Sequence, residues 1–430
     1  MLIFITTIQY ILITMKFLIC PDSFKDCMSA TEASLIMNKA IASILPNAII
    51  KTIPLSDGGQ GFIKSILAAI NGELIVKQVC GPLGKPVTAS YALIDDAKTA
   101  VIESAQAAGL ELLTMTERNP LYTTTYGIGQ LILDAIHKGA KKIILGLGGS
   151  ATVDGGAGML QALGAKLLDK NFHDLQPGGL YLNDLQQINF EHLLTNLATV
   201  EILIASDVIN PLLGPNGAAR VFGPQKGATP EMVEILEKGL SKFAQLCNHR
   251  HKTSLSDIPG SGAAGGLGYA LLLLGGRIVS GIDLISNVTD LEQEVCTADI
   301  VFSGEGSLDS QTINGKTISK IAKLCKKYNK PLIVVAGRTS EKLEDLYTLG
   351  ISAILPIAIV HGPECFEVIP YSIQKKDLSG ITEKLTAIEY FFSLHRKIYP
   401  ELNEALTSGP HDLFFTVQLI IRQLFSSCRL

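Results

Sequence analysis

The sequence predicts an α/β fold with largely parallel sheets. Short β-branched runs alternate along the chain with longer amphipathic stretches, which is the pattern of βα units. Several of these apolar runs end directly in glycine-rich or acidic loops. The 430 residues are enough for two or three domains, and contents of 47% hydrophobic and 18% charged residues are typical of an ordered globular protein.

The predicted strands are short apolar runs, and the predicted helices have apolar residues at helical spacing. The strands are 16–20, 49–54, 87–94, 99–104, 142–147, 202–206, 299–303 and 331–336. The helices are 31–44, 60–71, 126–138, 231–247, 267–274 and 316–327, with others on either side of the Gly409-Pro410 turn. Segments 87–94 and 99–104 are expected to form a more antiparallel region than the rest.

Charge and cysteine usage argue against two classes of protein. The net charge is −4, and no basic stripe interleaved with aromatic residues is present, so nucleic acid is not an expected partner. The eight cysteines form no C-x-x-C pair and have no clustered histidine. We therefore expect free thiols in a reducing, cytoplasmic compartment rather than a zinc site.

The first fourteen residues are almost wholly apolar and contain no Lys or Arg. They lack the basic start of a signal peptide, and Lys16 interrupts the run before the ~20 residues that a membrane helix needs. We interpret residues 1–14 as a mis-assigned start outside the fold, with Met15 as the true one. A membrane anchor is the alternative interpretation, and membrane association is not expected.

Ligands of open α/β sheets bind outside the carboxyl ends of the strands, so the loops at these ends are the candidate sites. In the loop at 21–26, Ser23 and Lys25 could bind phosphate or carboxylate at a helix start. In the loop at 55–61, Gly58 and Gly59 would let backbone N–H groups approach an anion. Asp57 in the same loop is a candidate for a metal ion or a substrate hydroxyl. A solvated surface charge or a capped tight turn is the alternative for both loops.

The most informative loop is 146–158, where six glycines and small hydroxyl residues follow a buried strand. No Gly-Lys-Ser/Thr follows, so it is not a Walker A loop, and the glycine spacing does not fit a dinucleotide fingerprint. Its backbone and hydroxyl groups could still surround phosphate. The predicted phosphate-binding residues are Gly148, Gly149, Ser150 and Thr152, and Asp154 is a predicted metal ligand.

The loop that follows strand 299–303 combines acidic residues with a later lysine. Glu305 and Asp309 are predicted magnesium ligands, because Mg²⁺ takes one or two carboxylates together with substrate phosphates. Gly306 and Lys316 are predicted to contact phosphate.

Three further residues follow strands or lie in glycine loops. Asp207 is a candidate base or metal ligand, and Lys226 is a candidate phosphate ligand. Glu103, with Ser104 and Ala105 after it, is a candidate for binding a hydroxyl. A capped turn is the alternative for each. Anion-binding loops, acidic residues at strand ends and loop lysines together indicate phosphoryl transfer, which depends on positioning and charge neutralisation.

Several segments, in this order, resemble the type I glycerate kinase family. The resemblance covers about 15–380, and residues 1–14 and those after about 385 match weakly or not at all. The resembling strings are PDSFKD at 21–26, PLSDGGQG at 54–61, IESAQAAGL at 102–110, TTTYGIGQLI at 123–132, GLGGSATVDGGAGMLQALGA at 146–165, ASDVINPLLGPNGAARVFGPQKGA at 205–228, PGSGAAGGLGYAL at 259–271 and FSGEGSLDSQTINGKT at 302–317.

The resemblance implies two domains. One is a flavodoxin-like parallel-sheet domain built from both chain ends, at 15–80 and 296–430, and the other is an α/β domain inserted at 81–295. It also implies ATP, Mg²⁺ and D-glycerate as ligands in a cleft between the domains. The bacterial branch that it resembles makes 2-phosphoglycerate. Whether the chain forms a homo-oligomer stays open.

The resemblance leads to a hypothesis for the mechanism. Asp207 is the first choice for the base that accepts the glycerate hydroxyl proton, and Asp57 is the second. Lys25 is also assigned to the catalytic set, and Lys25 and Lys316 would bind the glycerate carboxylate or the phosphates. The alternatives are a kinase for a related small hydroxy acid and an inactive ligand-binding homologue. A nicotinamide oxidoreductase is disfavoured by the missing fingerprint.

Overall fold

The structure is a computed structural model. It describes residues 15–24, 27–56, 58–59, 61–191, 193, 197, 199–248, 254–308, 316–339, 344–356, 417–418 and 421. Three predicted site residues, Lys25, Asp57 and Asp309, lie outside the described residues. The same holds for residues 1–14 and for nearly all of the region around the Gly409-Pro410 turn.

The chain divides into two compact units. The first comprises the described residues of Met1–Ser56 and Ser286–Leu430, and the second those of Asp57–Ile285. The boundaries inferred from the sequence, at 81 and 295, differ from these. One reason is that residues 73–80 form a strand that pairs with 86–94 in the sheet of the second unit.

The regular elements follow one another as an alternation of strands and helices. The strands are β1 (Lys16–Ile19), β2 (Ile49–Thr52), β3 (Glu73–Cys80), β4 (Pro86–Ile94), β5 (Thr99–Glu103), β6 (Lys142–Gly146), β7 (Lys166–Leu168), β8 (Gln187–Asn189), β9 (Glu201–Ala205), β10 (Arg277–Val279), β11 (Ile300–Leu308), β12 (Leu332–Thr339) and β13 (Ala353–Pro356). The helices are α1 (Ala30–Ile44), α2 (Phe62–Ala69), α3 (Ala105–Ala108), α4 (Tyr126–His137), α5 (Ala157–Ala162), α6 (Ala218–Phe222), α7 (Pro230–Asn248), α8 (Ala263–Leu273), α9 (Gly281–Val288), α10 (Leu291–Thr297), α11 (Lys316–Lys327) and α12 (Glu344–Thr348).

The sheet of the first unit is wholly parallel, with the strand order β13-β12-β11-β1-β2. Numbered within this unit, the order reads 2-1-3-4-5, which is that of flavodoxin-like folds. Its core includes Phe17, Ile19 and Phe302, which are at most 1% exposed. The predicted α/β class with parallel sheets is confirmed.

Helix α1 illustrates how the local sequence specifies an element of this unit. Ser29 and Glu32 form a capping box, in which the Ser29 side chain accepts from the Glu32 N–H and Glu32 accepts from the Ser29 N–H. Ala33, Met37 and Ile41 recur at helical spacing and are fully buried. This stripe belongs to the same apolar cluster as the side chains of β1.

Strand β11 is longer than the sequence indicated. The strand was expected to end at Ser303 and to be followed by a loop, but β11 continues to Leu308 and pairs in parallel with β12 as far as Leu308 and Thr339. A β-carbon on Gly304 would lie 2.6 Å from the Val335 carbonyl oxygen, so glycine serves close packing against the neighbouring strand. Glu305 and Gly306 are therefore strand residues, not loop residues.

The sheet of the second unit is mixed, with the order β10-β9-β6-β5-β4-β3. Strands β3, β4 and β5 are antiparallel, as expected for 87–94 and 99–104, and β5, β6, β9 and β10 are parallel. The five residues of β5 are all buried, and four of the five residues of β6 and of β9 are. Such continuous apolar strands are typical of a sheet covered on both faces.

Most of the predicted elements agree with the structure to within two or three residues at each end. The helix predicted at 60–71, for example, spans Phe62–Ala69, whereas the strand β3 was not predicted. Within the described residues, no helix is both long enough and apolar enough to cross a membrane.

Candidate functional site

The central strands of the second unit end in one row. Glu103 of β5 pairs with Gly146 of β6, and Gly146 pairs with Ala205 of β9. The segments that follow these three residues therefore start side by side at the carboxyl edge of the parallel strands, where α/β folds bind ligands. This edge is the candidate site of the second unit.

The glycines at this edge fit backbone against backbone. A β-carbon on Gly58, whose φ is +91°, would lie 2.6 Å from the Ala205 carbonyl oxygen. One on Gly146 would lie 2.5 Å from the Gly58 oxygen, and one on Gly148 would lie 2.3 Å from Cα of Gly59. Such contacts leave no space for a side chain, so these glycines bring the segment at 58–59 onto the ends of β6 and β9.

Glu103 binds the start of a helix. Its Oε1 accepts a hydrogen bond of 2.7 Å from the Ile63 N–H in the first turn of α2. Burial raises the pKa of the Glu103 carboxyl, and hydrogen bonds from the N–H groups of Ile63 and Gly61 act in the opposite direction. These contacts give Glu103 a helix-capping role, and its predicted role in binding a substrate hydroxyl stays a prediction.

Ser104 follows Glu103 in the segment at 103–105, which the sequence indicated as a source of hydroxyl-binding groups. Its hydroxyl donates to the Gly148 carbonyl at 3.2 Å, and its N–H donates to the Gly146 carbonyl at 2.8 Å. The side chain is fully buried. Ser104 lies directly after β5, where polar residues are candidates in such sheets, and its role in binding a hydroxyl stays a prediction.

Lys226 lies beneath the glycine loop with only 2% of its surface exposed. Its ammonium donates to Ser150 Oγ at 2.9 Å and to the Thr152 carbonyl at 2.7 Å. Burial lowers the pKa of Lys226 to about 7, and the Asp154 charge acts in the opposite direction. Lys226 thus ties two parts of the loop together, as a structural cation would.

Asp154 is fully buried and accepts four hydrogen bonds. Its Oδ2 accepts from the Thr125 N–H at 2.8 Å, the Thr125 hydroxyl at 2.9 Å and the Gly158 N–H at 3.3 Å. Its Oδ1 accepts from the Gly156 N–H at 3.0 Å. Burial raises the pKa of this carboxyl, and these donors act in the opposite direction. The four bonds account for its burial without a metal ion.

Thr152 is packed against the start of helix α8. Ala264, Gly265 and Gly266 are left-handed there, with φ of 52°, 69° and 91°. A β-carbon on Gly265 would lie 1.9 Å from the Thr152 carbonyl oxygen, so only glycine fits. The Thr152 hydroxyl is buried and has no hydrogen-bond partner among the described residues.

Asp207 lies at the same edge, two residues after β9, and is half-buried. The Ser206 hydroxyl accepts from the Val208 N–H at 3.3 Å, which shapes the turn that carries Asp207. Asp207 therefore follows the strand end on which Gly58 packs.

The remaining described candidates belong to the first unit. Ser23 is exposed after β1, and its N–H donates to Asp22 Oδ1 at 2.6 Å. Glu305 and Gly306 are half-buried in β11, and Lys316 is the first residue of α11. No group of three or more His, Cys, Asp or Glu residues that could hold a metal ion occurs in the described parts of the chain.

Fold and site together define an α/β protein whose parallel strands end in interlocked glycine loops braced by a buried lysine. The sequence model of the glycerate kinase family matches residues 17–376. This chain belongs to the glycerate kinase family and is accordingly an enzyme, and the resemblance drawn from its motifs is confirmed.

Individual relatives agree with this assignment. The chain is 45% identical to the glycerate kinase of Bacillus subtilis over 344 residues, which are 80% of this chain and 90% of that protein. It is 44% identical to the glycerate 2-kinase of Escherichia coli over 344 residues, again 80% and 90% of the two chains. A crystal structure from Salmonella typhimurium LT2, assigned as glycerate kinase 2, is similar with a TM-score of 0.77 and 37% identity, covering 97% of this chain and 100% of that one.

Replacing Gly148 with alanine tests the backbone contact with Gly59. We expect Gly148→Ala to lower the free energy of unfolding by at least about 3 kcal/mol, the upper end of overpacking costs, because the new methyl meets main chain that cannot move aside. Gly84→Ala is the control, since Gly84 has φ +80° and open space around it. It should cost only the left-handed strain of about 1 to 2 kcal/mol. Urea unfolding measures both, and equal losses would contradict the packing argument.

The lowered pKa of Lys226 predicts a pH-dependent stability. Between about pH 7 and the ordinary lysine pKa of 10.5, the unfolded chain binds the proton and the folded chain does not. The destabilising contribution of the buried Lys226 to the free energy of unfolding is therefore at its full size below pH 7. It decreases as the pH rises through the window. Relative to Lys226→Met, the wild type should gain up to about 1.4 kcal/mol per pH unit in this window. Urea unfolding of both proteins from pH 6 to pH 10 measures the difference, and a constant difference would refute it.

Proposed function

We propose that this enzyme transfers the γ-phosphoryl group of ATP to D-glycerate and forms 2-phosphoglycerate. The observation that supports it most is the family match over 17–376, together with relatives named glycerate kinase and glycerate 2-kinase at 44–45% identity. Glycerate and the 2-position are taken from the names of those relatives. ATP is the phosphoryl donor that kinase activity implies, and the cysteine usage favours a cytoplasmic location.

The chemistry requires a base for the glycerate hydroxyl. In the proposed step the hydroxyl oxygen attacks the γ-phosphorus, the bond from the γ-phosphorus to the β,γ-bridging oxygen breaks, and ADP leaves. Asp207 accepts the hydroxyl proton. Two observations support Asp207 as the base: it follows β9 at the carboxyl edge of the parallel strands, and it is partly exposed. Asp57 remains the second choice for the base.

The loop at 148–152 is the proposed phosphate contact in the second unit. Within the described part of the chain, the N–H groups of Gly149 and Ser150 donate to no acceptor, whereas the Ala151 N–H donates to the Ala108 carbonyl. Gly149 has φ +73°, the left-handed conformation that occurs in anion-binding turns with successive N–H groups. The Ser150 hydroxyl adds a third donor. Lys25, Ser23 and Lys316 remain proposed contacts for carboxylate or phosphate.

Magnesium would be held by the ATP phosphates with one or two carboxylates. Asp154 fits poorly, because four protein donors occupy its oxygens. Glu305, half-buried on β11, and Asp309 are the better pair. When bound, the ion would neutralise charge on the phosphates.

The activity is tested by measuring ADP release from the full chain with Mg-ATP and D-glycerate. We expect glycerate-dependent turnover, and ³¹P NMR of the product should give 2-phosphoglycerate. Turnover only with another small hydroxy acid would replace the proposed substrate. A folded protein that binds ATP without turnover on any acid would indicate an inactive homologue.

Substitution of Asp207 tests its role as the base. Asp207→Asn should lower kcat by at least about 100-fold, which is typical for loss of a general base. The free energy of unfolding should change little, because Asp207 is only half-buried. Asp96→Asn is the matched control, since Asp96 is an exposed residue in the turn between β4 and β5. Unchanged turnover in Asp207→Asn would move the base assignment to Asp57.

A further inference from the structure

The hydrogen bond between Lys226 and Ser150 has one possible direction while Lys226 is protonated. A lysine ammonium carries three donors and no acceptor. In the 2.9 Å contact, Ser150 Oγ must therefore accept from Lys226. The Ser150 hydroxyl hydrogen then points to some other acceptor, because a serine hydroxyl is also a donor.

No acceptor for this hydrogen lies within the described residues. The Lys226 contact is the one side-chain hydrogen bond that Ser150 makes in the described part of the structure. Ser104, at the adjacent strand end, differs in this respect, since its hydroxyl donates to the Gly148 carbonyl. Ser150 is 5% exposed, and a nearly buried hydroxyl loses free energy if its hydrogen stays unbonded.

The main chain holds Ser150 in place from both sides. The Gly149 carbonyl accepts from the Leu110 N–H at 2.9 Å, and the Ala151 N–H donates to the Ala108 carbonyl at 2.7 Å. Lys226 fixes the same loop two residues later through the Thr152 carbonyl. The hydroxyl of Ser150 is thus held beside the N–H groups of Gly149 and Ser150, which also have no acceptor among the described residues.

We propose that Lys226 is a positioning residue. By donating to Ser150 Oγ, it leaves the Ser150 hydroxyl to donate its hydrogen to a phosphate oxygen of the bound nucleotide. This inference rests on the proposed function. It assigns Lys226 an indirect role, in place of the direct phosphate contact that the sequence suggested. Its burial excludes the ammonium from direct contact with a ligand at the surface of the loop.

The protonation of Lys226 decides the direction of this bond. A neutral lysine amine has a lone pair and can accept the Ser150 hydrogen, which withdraws it from the ligand. Asp154 is the titratable group whose charge acts on Lys226, and the Ser150 and Thr152 oxygens that it contacts are neutral. Burial lowers the pKa of Lys226 to about 7, so the reversal falls in an accessible range of pH.

The test is the affinity for ATP of the full chain, measured by calorimetry at pH 6 and pH 9 for the wild type and Ser150→Ala. Titration of ATP itself cancels in the ratio of the two proteins. We expect wild type to bind about tenfold more tightly at pH 6, as for one hydrogen bond to a charged group. The ratio should approach one at pH 9.

Ser104→Ala is the matched control, because its hydroxyl hydrogen is used inside the protein. The effect of Ser104→Ala on ATP affinity should be the same at both pH values. Lys226→Met alone should weaken ATP binding. Added to Ser150→Ala, it should cause no further loss of ATP affinity. The pH comparison stands even if Lys226→Met does not fold.

A ratio near one at pH 6, or a ratio that does not change between pH 6 and pH 9, would overturn the role of Lys226. A different result would contradict the proposed function. If ATP affinity depends on Ser150 and pH as expected but glycerate is not phosphorylated, the positioning role is supported and the substrate assignment is wrong.

Discussion

The site of the second unit depends on the close approach of main chain to main chain at the ends of β6 and β9. Gly58, Gly146 and Gly148 allow contacts in which an added β-carbon would lie 2.3–2.6 Å from a neighbouring backbone atom. A single side chain there would force the segment at 58–59 away from the sheet. Glycine is used here for the absence of a side chain more than for its conformational freedom, since only Gly58 of the three has a positive φ.

Behind these glycines, buried polar groups that hydrogen-bond to the loop complete the support. Asp154 accepts hydrogen bonds from N–H and hydroxyl groups at the start of α4 and in its own turn. Lys226 donates to both Ser150 and Thr152. A buried charge is costly unless it is well hydrogen-bonded, so such groups persist where they specify a geometry. The loop keeps its shape because acceptors and donors of fixed direction surround it.

The fold was largely predictable, because the central strands are continuous apolar runs and the apolar residues of the helices recur with a period of 3.6 residues. The edge strand β3 was missed because its apolar run at 74–76 is short and is followed by Lys77 and Gln78, and because most of its residues are exposed. The extent of β11 was missed because Gly304 and Gly306 suggest a loop, whereas here they pack against β12.

The site was less predictable than the fold. A glycine that contacts a ligand and a glycine that contacts main chain look alike in a sequence. Gly58 and Gly148 were therefore assigned to anion binding, and their contacts with neighbouring main chain were not predicted. Burial of Lys226 depends on residues far away in the chain, and no local pattern indicates it. Family membership came from the order of the motifs, whereas the roles of single residues required their surroundings.

The glycine loop is assembled from parts that lie far apart along the chain. It contacts the segment at 58–59, the turn at 108–110, Lys226 and the left-handed start of α8. Each contact of such large sequence separation requires the closure of a long loop, which costs chain entropy. The shape of the glycine loop therefore depends on the second unit as a whole. A change far away in the sequence can alter this loop without touching it.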